Sequence, residues 1–185
     1  MKARPITRDE FDRTVGLAED GEHGPRNAMV LLLTGGAGMR LGEVGGLDLK
    51  DVWDPTTNKV RRSIHLVAGK SKTRIARDIH LSTRVRRAIK AYIRERGTKG
   101  GPLVLTRFGG RFHRVALVSL VKGLYRDAGI ETSSHAGRAL FINLLDDNRT
   151  PIRVIQKAVG HRSLASTQAY LSAPPSAVAA AVEAL

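Results

Sequence analysis

The order of apolar runs, capping residues and helix breakers along the chain predicts a mainly helical protein with one small β insertion. Thr7 and Glu10 have the spacing of a capping box, which predicts that a first helix begins there. Pro25 suits the first turn of a second helix, which the apolar run MVLLL continues to Gly35 and Gly36. Similar patterns predict helices at 38–47, 83–96, 112–128, 151–160, 164–171 and 176–185, and a further helix capped by Ser134.

Two β-rich runs, 60–67 and 74–81, form the β insertion. Both alternate partly between apolar and polar residues around the segment AGKSKT, so they predict a hairpin with Lys70 in its loop. The segment 48–58 is rich in turn residues, and 103–105 is predicted to be a small strand. Because no repeat or linker interrupts the chain, we expect a single domain, residues 1–185, mainly α with a small antiparallel β-sheet (α+β).

Charge narrows the possible partners of this domain. Lys and Arg number 31 against 17 Asp and Glu, which gives a formal net charge of +14. Such a field attracts polyanions and makes their binding sensitive to salt, so DNA or RNA is the natural partner. An anionic membrane is the competitor, but no apolar run approaches the roughly 20 residues that span a bilayer. The N-terminus has no apolar signal region, so a cytoplasmic location is the default expectation.

The strongest candidates for chemistry lie between His135 and Tyr170. His135 and Arg138 are three residues apart, so on a helix they share one face. His161 follows, and Tyr170 comes nine residues after it. In a basic chain this set indicates chemistry at a phosphate, with the tyrosine as the attacking group. No carboxylate set has the spacing of Mg²⁺ ligands and cysteine is absent, so we expect no metal or other cofactor, and Arg, Lys and His to stabilise the phosphate.

Each candidate also has an ordinary structural interpretation. Taken singly, Arg40 and Arg138 are more often surface or salt-bridge arginines, and His161 after a glycine suits a helix C-terminus. Tyr170 on a short helix is most often a half-buried packing residue. Lys70 together with its basic neighbours is usually just part of a solvated basic face; these neighbours are Lys72, Arg74 and Arg77.

The order of these residues resembles the catalytic domain of the tyrosine recombinase (phage integrase) family, and the resemblance covers nearly the whole chain. The family pattern has a first Arg in a G-[LM]-R-x-x-E context, a hairpin Lys in G-K, then H-x-x-R, G-H and a Tyr about nine residues later. This sequence has GMRLGE, AGKSKTR, HAGR, VGH and TQAY at the corresponding points. The six catalytic positions implied by the resemblance are Arg40, Lys70, His135, Arg138, His161 and Tyr170.

The resemblance also implies a fold and a mechanism. The fold expected is that of the integrase catalytic domain. Tyr170 is expected to attack the scissile phosphate as nucleophile, which leaves a 3′-phosphotyrosyl link and a free 5′-hydroxyl. Arg40, Arg138 and His161 are expected to hold and neutralise the phosphate, and Lys70 to act as general acid for the 5′ oxygen.

The resemblance also implies roles for the remaining catalytic residue, for one supporting residue and for two DNA-binding residues. His135 is expected to assist proton transfer at the tyrosine, and Glu43 to orient the surroundings of the first arginine. Lys72 and Arg74 are expected to contact DNA.

The sequence departs from the family pattern at three points. Gly137 and Ala139 flank Arg138 where many members have Leu and His, which leaves the packing of that helix open. Gly36-Ala37-Gly38 predicts either a mobile approach to Arg40 or a tight turn. Members commonly have a separate N-terminal helical domain, which we expect to be absent here, as in a naturally short recombinase or a fragment of a longer one. The helix at 176–185 is expected to pack on its own domain or to dock on a neighbouring subunit.

The favoured function is site-specific cleavage and rejoining of double-stranded DNA, carried out by a homo-oligomer, a tetramer, in the prokaryotic cytoplasm or nucleoid. One alternative is a non-catalytic DNA-binding relative, against which the intact catalytic set argues. The other is an enzyme like the type IB topoisomerases, which relax supercoils through the same covalent chemistry. HAGR and VGH fit the recombinases better.

Overall fold

The computed structural model describes residues 5–67 and 76–171. Within these ranges the chain is mainly helical with two small antiparallel hairpins, so the predicted fold class is confirmed. The elements in chain order are α1 (Arg8–Asp20), α2 (Gly24–Gly35), α3 (Leu41–Gly46), α4 (Leu49–Val52), β1 (Trp53–Asp54), β2 (Lys59–Val60), β3 (Ser63–Leu66), β4 (Arg77–His80), α5 (Thr83–Arg96), α6 (Arg114–Asp127), α7 (Ala136–Asp147), α8 (Ile152–Val159) and α9 (Leu164–Gln168).

The side chains of helix α2 are buried on all sides, which is typical of a helix at the centre of a fold. Met29, Leu31 and Leu33 are fully buried, and α2 contacts α1, α5, α6 and α7. Its C-terminal end is followed by Gly36 and leads directly to the first residues of the functional site.

Most helix boundaries follow the local signals in the sequence. The predicted capping box of Thr7 and Glu10 begins α1, and Gly97 ends α5. Helix α8 follows Pro151 and ends at Gly160, which adopts a left-handed conformation with φ of 65°. Helix α7, which was predicted to be capped by Ser134, begins one residue later. Its N-cap is His135, because Ser134 is turned into the protein and is buried.

The predicted hairpin is confirmed by strands β3 and β4, which pair antiparallel with Ile64 opposite Ile79. A second hairpin, β1–β2, begins in the segment 48–58 that was predicted to be turn-rich and ends just beyond it. The strand predicted at 103–105 is wrong: Leu103 is buried and its N–H donates to the carbonyl of Leu47 at 2.9 Å, while bridges form only at Pro102 and Leu105. The irregular segment satisfies its backbone through these contacts instead of a ladder.

Two predictions concern residues outside the described ranges. They are the loop that carries Lys70, Lys72 and Arg74, and the helix at 176–185. Among the helices of the described ranges, none is long and apolar enough to span a bilayer.

Candidate active site

A cleft of about 700 Å³ brings together five of the six predicted catalytic residues. They come from three regions of the fold: the start of α3, the start of α7, and the segment from the end of α8 to just beyond α9. The predicted residues that line the cleft are Arg40, Glu43, His135, Arg138, His161 and Tyr170. Lys70, the sixth catalytic candidate, lies outside the described residues.

Arg40 is the N-cap residue of α3 and is fixed by two kinds of contact. Its backbone N–H and its Nη1 donate to the two carboxylate oxygens of Glu43, at 2.8 Å and 3.1 Å. Its Nη2 donates to the carbonyl of Gly160 at 3.1 Å. The side chain is still 21% exposed, so it is positioned by the protein and open to a ligand.

Arg138 is more deeply buried, at 3% exposure. Its Nη2 donates to the carbonyl of Val159 at 2.8 Å, and its Nη1 donates to the carbonyl of Gly38. Burial and the neighbouring charge of Arg40 lower the pKa of Arg138 to about 10, which leaves the guanidinium charged at neutral pH. Arg40 and Arg138 therefore supply two fixed positive charges at the base of the cleft.

The glycine-rich approach to Arg40 is a tight turn. Gly38 has φ of 65°, a conformation that favours glycine. A Cβ atom there would overlap the ring of Phe141, so the site also requires the smallest side chain. The turn presents the Gly38 carbonyl to Arg138, which gives this glycine a direct part in holding the arginine.

Gly137, the first departure from the family pattern, lies where α7 approaches the central helix. A Cβ atom at Gly137 would lie 2.7 Å from Thr34 Oγ1 and 3.0 Å from Tyr125 Oη. The close approach explains the glycine, and it brings the start of α7 directly against the end of α2. Arg138, the next residue, is thereby held in the cleft.

His161 and Tyr170 both line the cleft and are stacked on one another. Their ring centroids are 5.8 Å apart and the rings are inclined by 21°. His161 Nδ1 lies 2.9 Å from the hydroxyl of Thr167, a buried residue of α9. Tyr170 lies just beyond α9 and not on the predicted helix, and it packs against a small apolar cluster that includes Ile155 and Val159.

The electrostatic environment keeps both histidines neutral. Burial and the guanidinium groups of Arg138, Arg40 and Arg77 lower the pKa of His161 to about 4. Partial burial and Arg138 also lower the pKa of His135, although this residue remains exposed to solvent. The lowered pKa values therefore favour the neutral form of both imidazoles at neutral pH.

Arg77 is a residue of the site that the sequence pattern assigned to a solvated basic face. That interpretation is wrong for Arg77, which is 7% exposed and donates from both Nη atoms to Glu43, at 2.9 Å and 2.7 Å. Buried and exposed side chains alternate along β4, and Arg77 lies on the same buried face as Ile79. The alternation was the signal in the sequence for its burial.

Glu43 and Arg114 complete the charges of the cleft. Burial raises the pKa of Glu43, but the hydrogen bonds and charges of Arg77 and Arg40 outweigh it, so the net pKa is lowered and the carboxylate is ionised. Arg114, at the start of α6, lines the cleft and was not predicted from the sequence. Within residues 5–67 and 76–171, no group of three or more His, Cys, Asp or Glu side chains is placed to hold a metal ion.

Comparison with known proteins finds tyrosine recombinases among the relatives of this chain. The chain is 31% identical over 185 residues to tyrosine recombinase XerC of Brucella melitensis biotype 1, and 27% identical over 170 residues to tyrosine recombinase XerA of Pyrococcus horikoshii. Each match covers 90% of this chain but only 54% and 56% of the relative, so the chain spans about half the length of these relatives.

Solved structures share the fold. A crystal structure of XerA recombinase superposes with a TM-score of 0.78 at 24% identity, covering 96% of this chain and 61% of that one. The XerH site-specific recombinase bound to difH substrate in a pre-cleavage complex gives 0.74 at 20% identity, covering 98% and 55%. The model of the phage integrase family matches residues 4–176. Because that match takes in every residue that lines the cleft, from Arg40 to Tyr170, the chain belongs to the phage integrase family, that of the tyrosine recombinases.

Proposed function

We propose that this chain is the catalytic domain of a site-specific DNA recombinase, which cleaves and rejoins strands through a 3′-phosphotyrosyl intermediate. One observation carries the proposal: Tyr170 and His161 are stacked in the same cleft as the fixed guanidinium groups of Arg40 and Arg138. Cations in this position both hold a phosphate and favour the phenolate form of a tyrosine. Family membership supports the same reaction.

Arg40 and Arg138 bind the non-bridging oxygens of the scissile phosphate in this proposal. Each guanidinium has five N–H donors, and the carbonyl groups of Gly38, Val159 and Gly160 engage only some of them. The carbonyls fix the planes of the guanidinium groups, and the remaining donors serve the phosphate. Donors fixed in advance stabilise the charge of the transition state without reorganising.

His161 contributes a hydrogen bond and not a charge before DNA binds, because its pKa of about 4 leaves the imidazole neutral. The Thr167 hydroxyl holds Nδ1, which leaves Nε2 for the phosphate. Of the two roles expected for His161 from the sequence, holding and neutralising the phosphate, we therefore propose only the first.

The cleavage step transfers the phosphoryl group from one oxygen to another. The Oη atom of Tyr170 attacks phosphorus, and the bond between phosphorus and the 5′ oxygen breaks. His135, whose lowered pKa favours the neutral imidazole, accepts the phenolic proton. Lys70 donates a proton to the departing 5′ oxygen. The phosphotyrosyl bond conserves the energy of the broken bond, so attack by a second 5′-hydroxyl reverses the step and exchanges strands.

Double-stranded DNA is the proposed substrate, and a homo-tetramer on DNA is the proposed assembly. The net charge of +14 supports a polyanionic partner. Among proteins of this fold, the XerH structure is described as bound to difH substrate. Native mass spectrometry of the protein with a duplex that carries its site is expected to detect four copies of the chain per synapsed pair.

The test uses nicked duplex suicide substrates, in which the short strand beyond the scissile phosphate diffuses away and traps the covalent complex. A pool with randomised flanking sequence lets the protein select its own site from many candidates. We expect a protein–DNA adduct that survives denaturing electrophoresis, and sequencing of the trapped DNA then gives the site.

Tyr170→Phe is the matched control, because it removes only the nucleophilic oxygen. An adduct that persists in this variant, or no adduct from the unaltered chain at any sequence in the pool, would contradict the proposed function. Relaxation of plasmids without sequence preference would assign the chemistry to a topoisomerase instead.

A further inference from the structure

Arg77 does not line the cleft itself, but it contacts Glu43, which does. The two side chains form a bidentate ion pair at 2.9 Å and 2.7 Å, and both are nearly inaccessible to solvent, at 4% and 2% of the side-chain surface. Arg77 belongs to β4, the strand that returns from the hairpin loop predicted to carry Lys70. Glu43 belongs to α3, whose N-cap is Arg40. The pair therefore connects the hairpin to the first arginine of the site.

Glu43 is shared between two arginines. Its carboxylate also accepts the backbone N–H and the Nη1 of Arg40, so four hydrogen bonds converge on two oxygens. Glu43 is the only carboxylate among the described residues that line the cleft. Each carboxylate oxygen accepts one hydrogen bond from Arg77 and one from Arg40, and Arg77 makes its two with the planar fork of its guanidinium.

Arg77 also supports the turn that precedes His161. The position of a Cβ atom on Gly160 lies 2.9 Å from the Cδ and Nη1 atoms of Arg77, so the guanidinium packs directly on this left-handed residue. The same turn supplies the carbonyls of Val159 and Gly160 that bind Arg138 and Arg40. One buried side chain thus contacts both the carboxylate and the turn that orient the phosphate-binding residues.

We propose that Arg77 is a positioning residue of the catalytic cleft. It shares the carboxylate of Glu43 with Arg40, so that Arg40 does not balance this charge alone and stays available to the scissile phosphate, and it supports the Gly160 turn. The inference rests on the proposed phosphoryl transfer. Without Arg77, the buried carboxylate would pair with Arg40 alone and withdraw it from the phosphate, because a buried charge must find a partner.

The test compares single-turnover cleavage rates and DNA affinity on the substrate recovered from the suicide pool. Arg77→Met is expected to lower the cleavage rate by about 100-fold, as small displacements of positioning groups do. The dissociation constant for DNA is expected to remain within about threefold, since affinity is summed over many phosphate contacts. Arg77→Lys keeps the charge but not the bidentate fork, and it is expected to be slowed as well; it decides the matter if Arg77→Met does not fold.

A second substitution separates positioning from mere structural support. Glu43→Gln added to Arg77→Met removes the negative charge that pairs with Arg40 alone and so frees Arg40, and the double variant is expected to cleave about 10-fold faster than Arg77→Met alone. A structural role would predict a further loss. Arg96→Met is the control, because Arg96 binds backbone carbonyls of Pro102 and Leu103 away from the cleft; it is expected to lose stability and keep its cleavage rate.

The outcomes distinguish this inference from the function on which it rests. If the unaltered chain forms no adduct, the proposed function fails. If it forms the adduct and Arg77→Met cleaves at the same rate, or if Glu43→Gln deepens the defect, the positioning role of Arg77 is overturned.

Discussion

The protonation state of His161 is determined by residues that come together only in the folded protein. Burial, together with the charges of Arg138, Arg40 and Arg77, lowers the pKa of its imidazole to about 4. An unfolded histidine has a pKa of about 6.5. The folded protein thus binds this proton more weakly than the unfolded chain does, and the difference connects the chemistry of the site to the stability of the fold.

The pH dependence of stability follows from this difference. Above about pH 6.5 the imidazole is neutral in both states, and the favourable contribution is fully present. As the pH falls from about 6.5 towards about 4, the unfolded chain takes up a proton that the folded protein rejects, so the free energy of unfolding decreases. His161→Gln is expected to reduce this decrease, measured as the urea midpoint at about pH 7 and about pH 5.

An NMR titration of the His161 ring gives an independent check, with His161→Gln supplying the assignment. We expect the ring to remain neutral at about pH 5, because its pKa in the folded protein is about 4. A midpoint of the ring titration near 6.5, or an unaltered pH dependence of unfolding in His161→Gln, would contradict a buried, cation-flanked imidazole.

At the scale of elements, the contact between α2 and α7 determines where the second arginine lies. The contact depends on Gly137, where an added Cβ atom would meet Thr34 and Tyr125 at 3.0 Å or less. Thr34 belongs to the buried central helix, so neither side of the contact has free space. A larger residue must displace α7 or distort α2.

Gly137→Ala is therefore expected to destabilise the protein by about 1–3 kcal/mol and to slow DNA cleavage, because Arg138 moves with α7. Gly123→Ala is a matched control: Gly123 is also helical, but an added Cβ atom there meets nothing within 4 Å. It is expected to stabilise by about 0.5–1 kcal/mol, since alanine favours a helix over glycine. Denaturant melts of both variants measure the two effects; equal stability changes would refute the packing argument.

The elements themselves were largely predictable, because their signals are local. The capping box at Thr7, the proline before α8 and the glycine after it lie within a few residues of the boundaries they mark. For the cleft, the sequence predicted only those residues that the order and spacing of the motifs identify. The burial of Arg77 depends on Glu43, which is 34 residues away, and the need for Gly38 depends on the ring of Phe141. Such contacts arise from tertiary packing, and the neighbouring sequence contains only weak signals of them.

At the scale of the whole molecule, the cleft joins segments that are far apart in the chain. Arg40 and Arg138 are separated by nearly a hundred residues, yet both donate to the turn at Val159 and Gly160. The positive charge of the site is therefore a property of the folded chain. It adds to a net charge of +14 that acts on DNA from a distance.

Binding to DNA is expected to weaken steeply with salt, because each phosphate neutralised by Lys or Arg releases counterions. If six to ten phosphates are contacted, affinity falls by about 10³–10⁵ between roughly 50 and 200 mM salt. Arg114 lines the cleft, so Arg114→Ala is expected to reduce the slope of log affinity against log salt by about 1. Arg94→Ala removes the same charge from an exposed position of α5 that is not among the residues lining the cleft.

The comparison of these two variants distinguishes a located interface from a diffuse charge effect. If the cleft faces the DNA backbone, only Arg114→Ala lowers the slope, because counterions are released where phosphates are contacted. If net charge alone governs binding, both variants lower affinity equally, and the cleft is not a specific contact site for DNA. Fluorescence anisotropy with a labelled duplex, repeated over a salt series, measures both slopes directly.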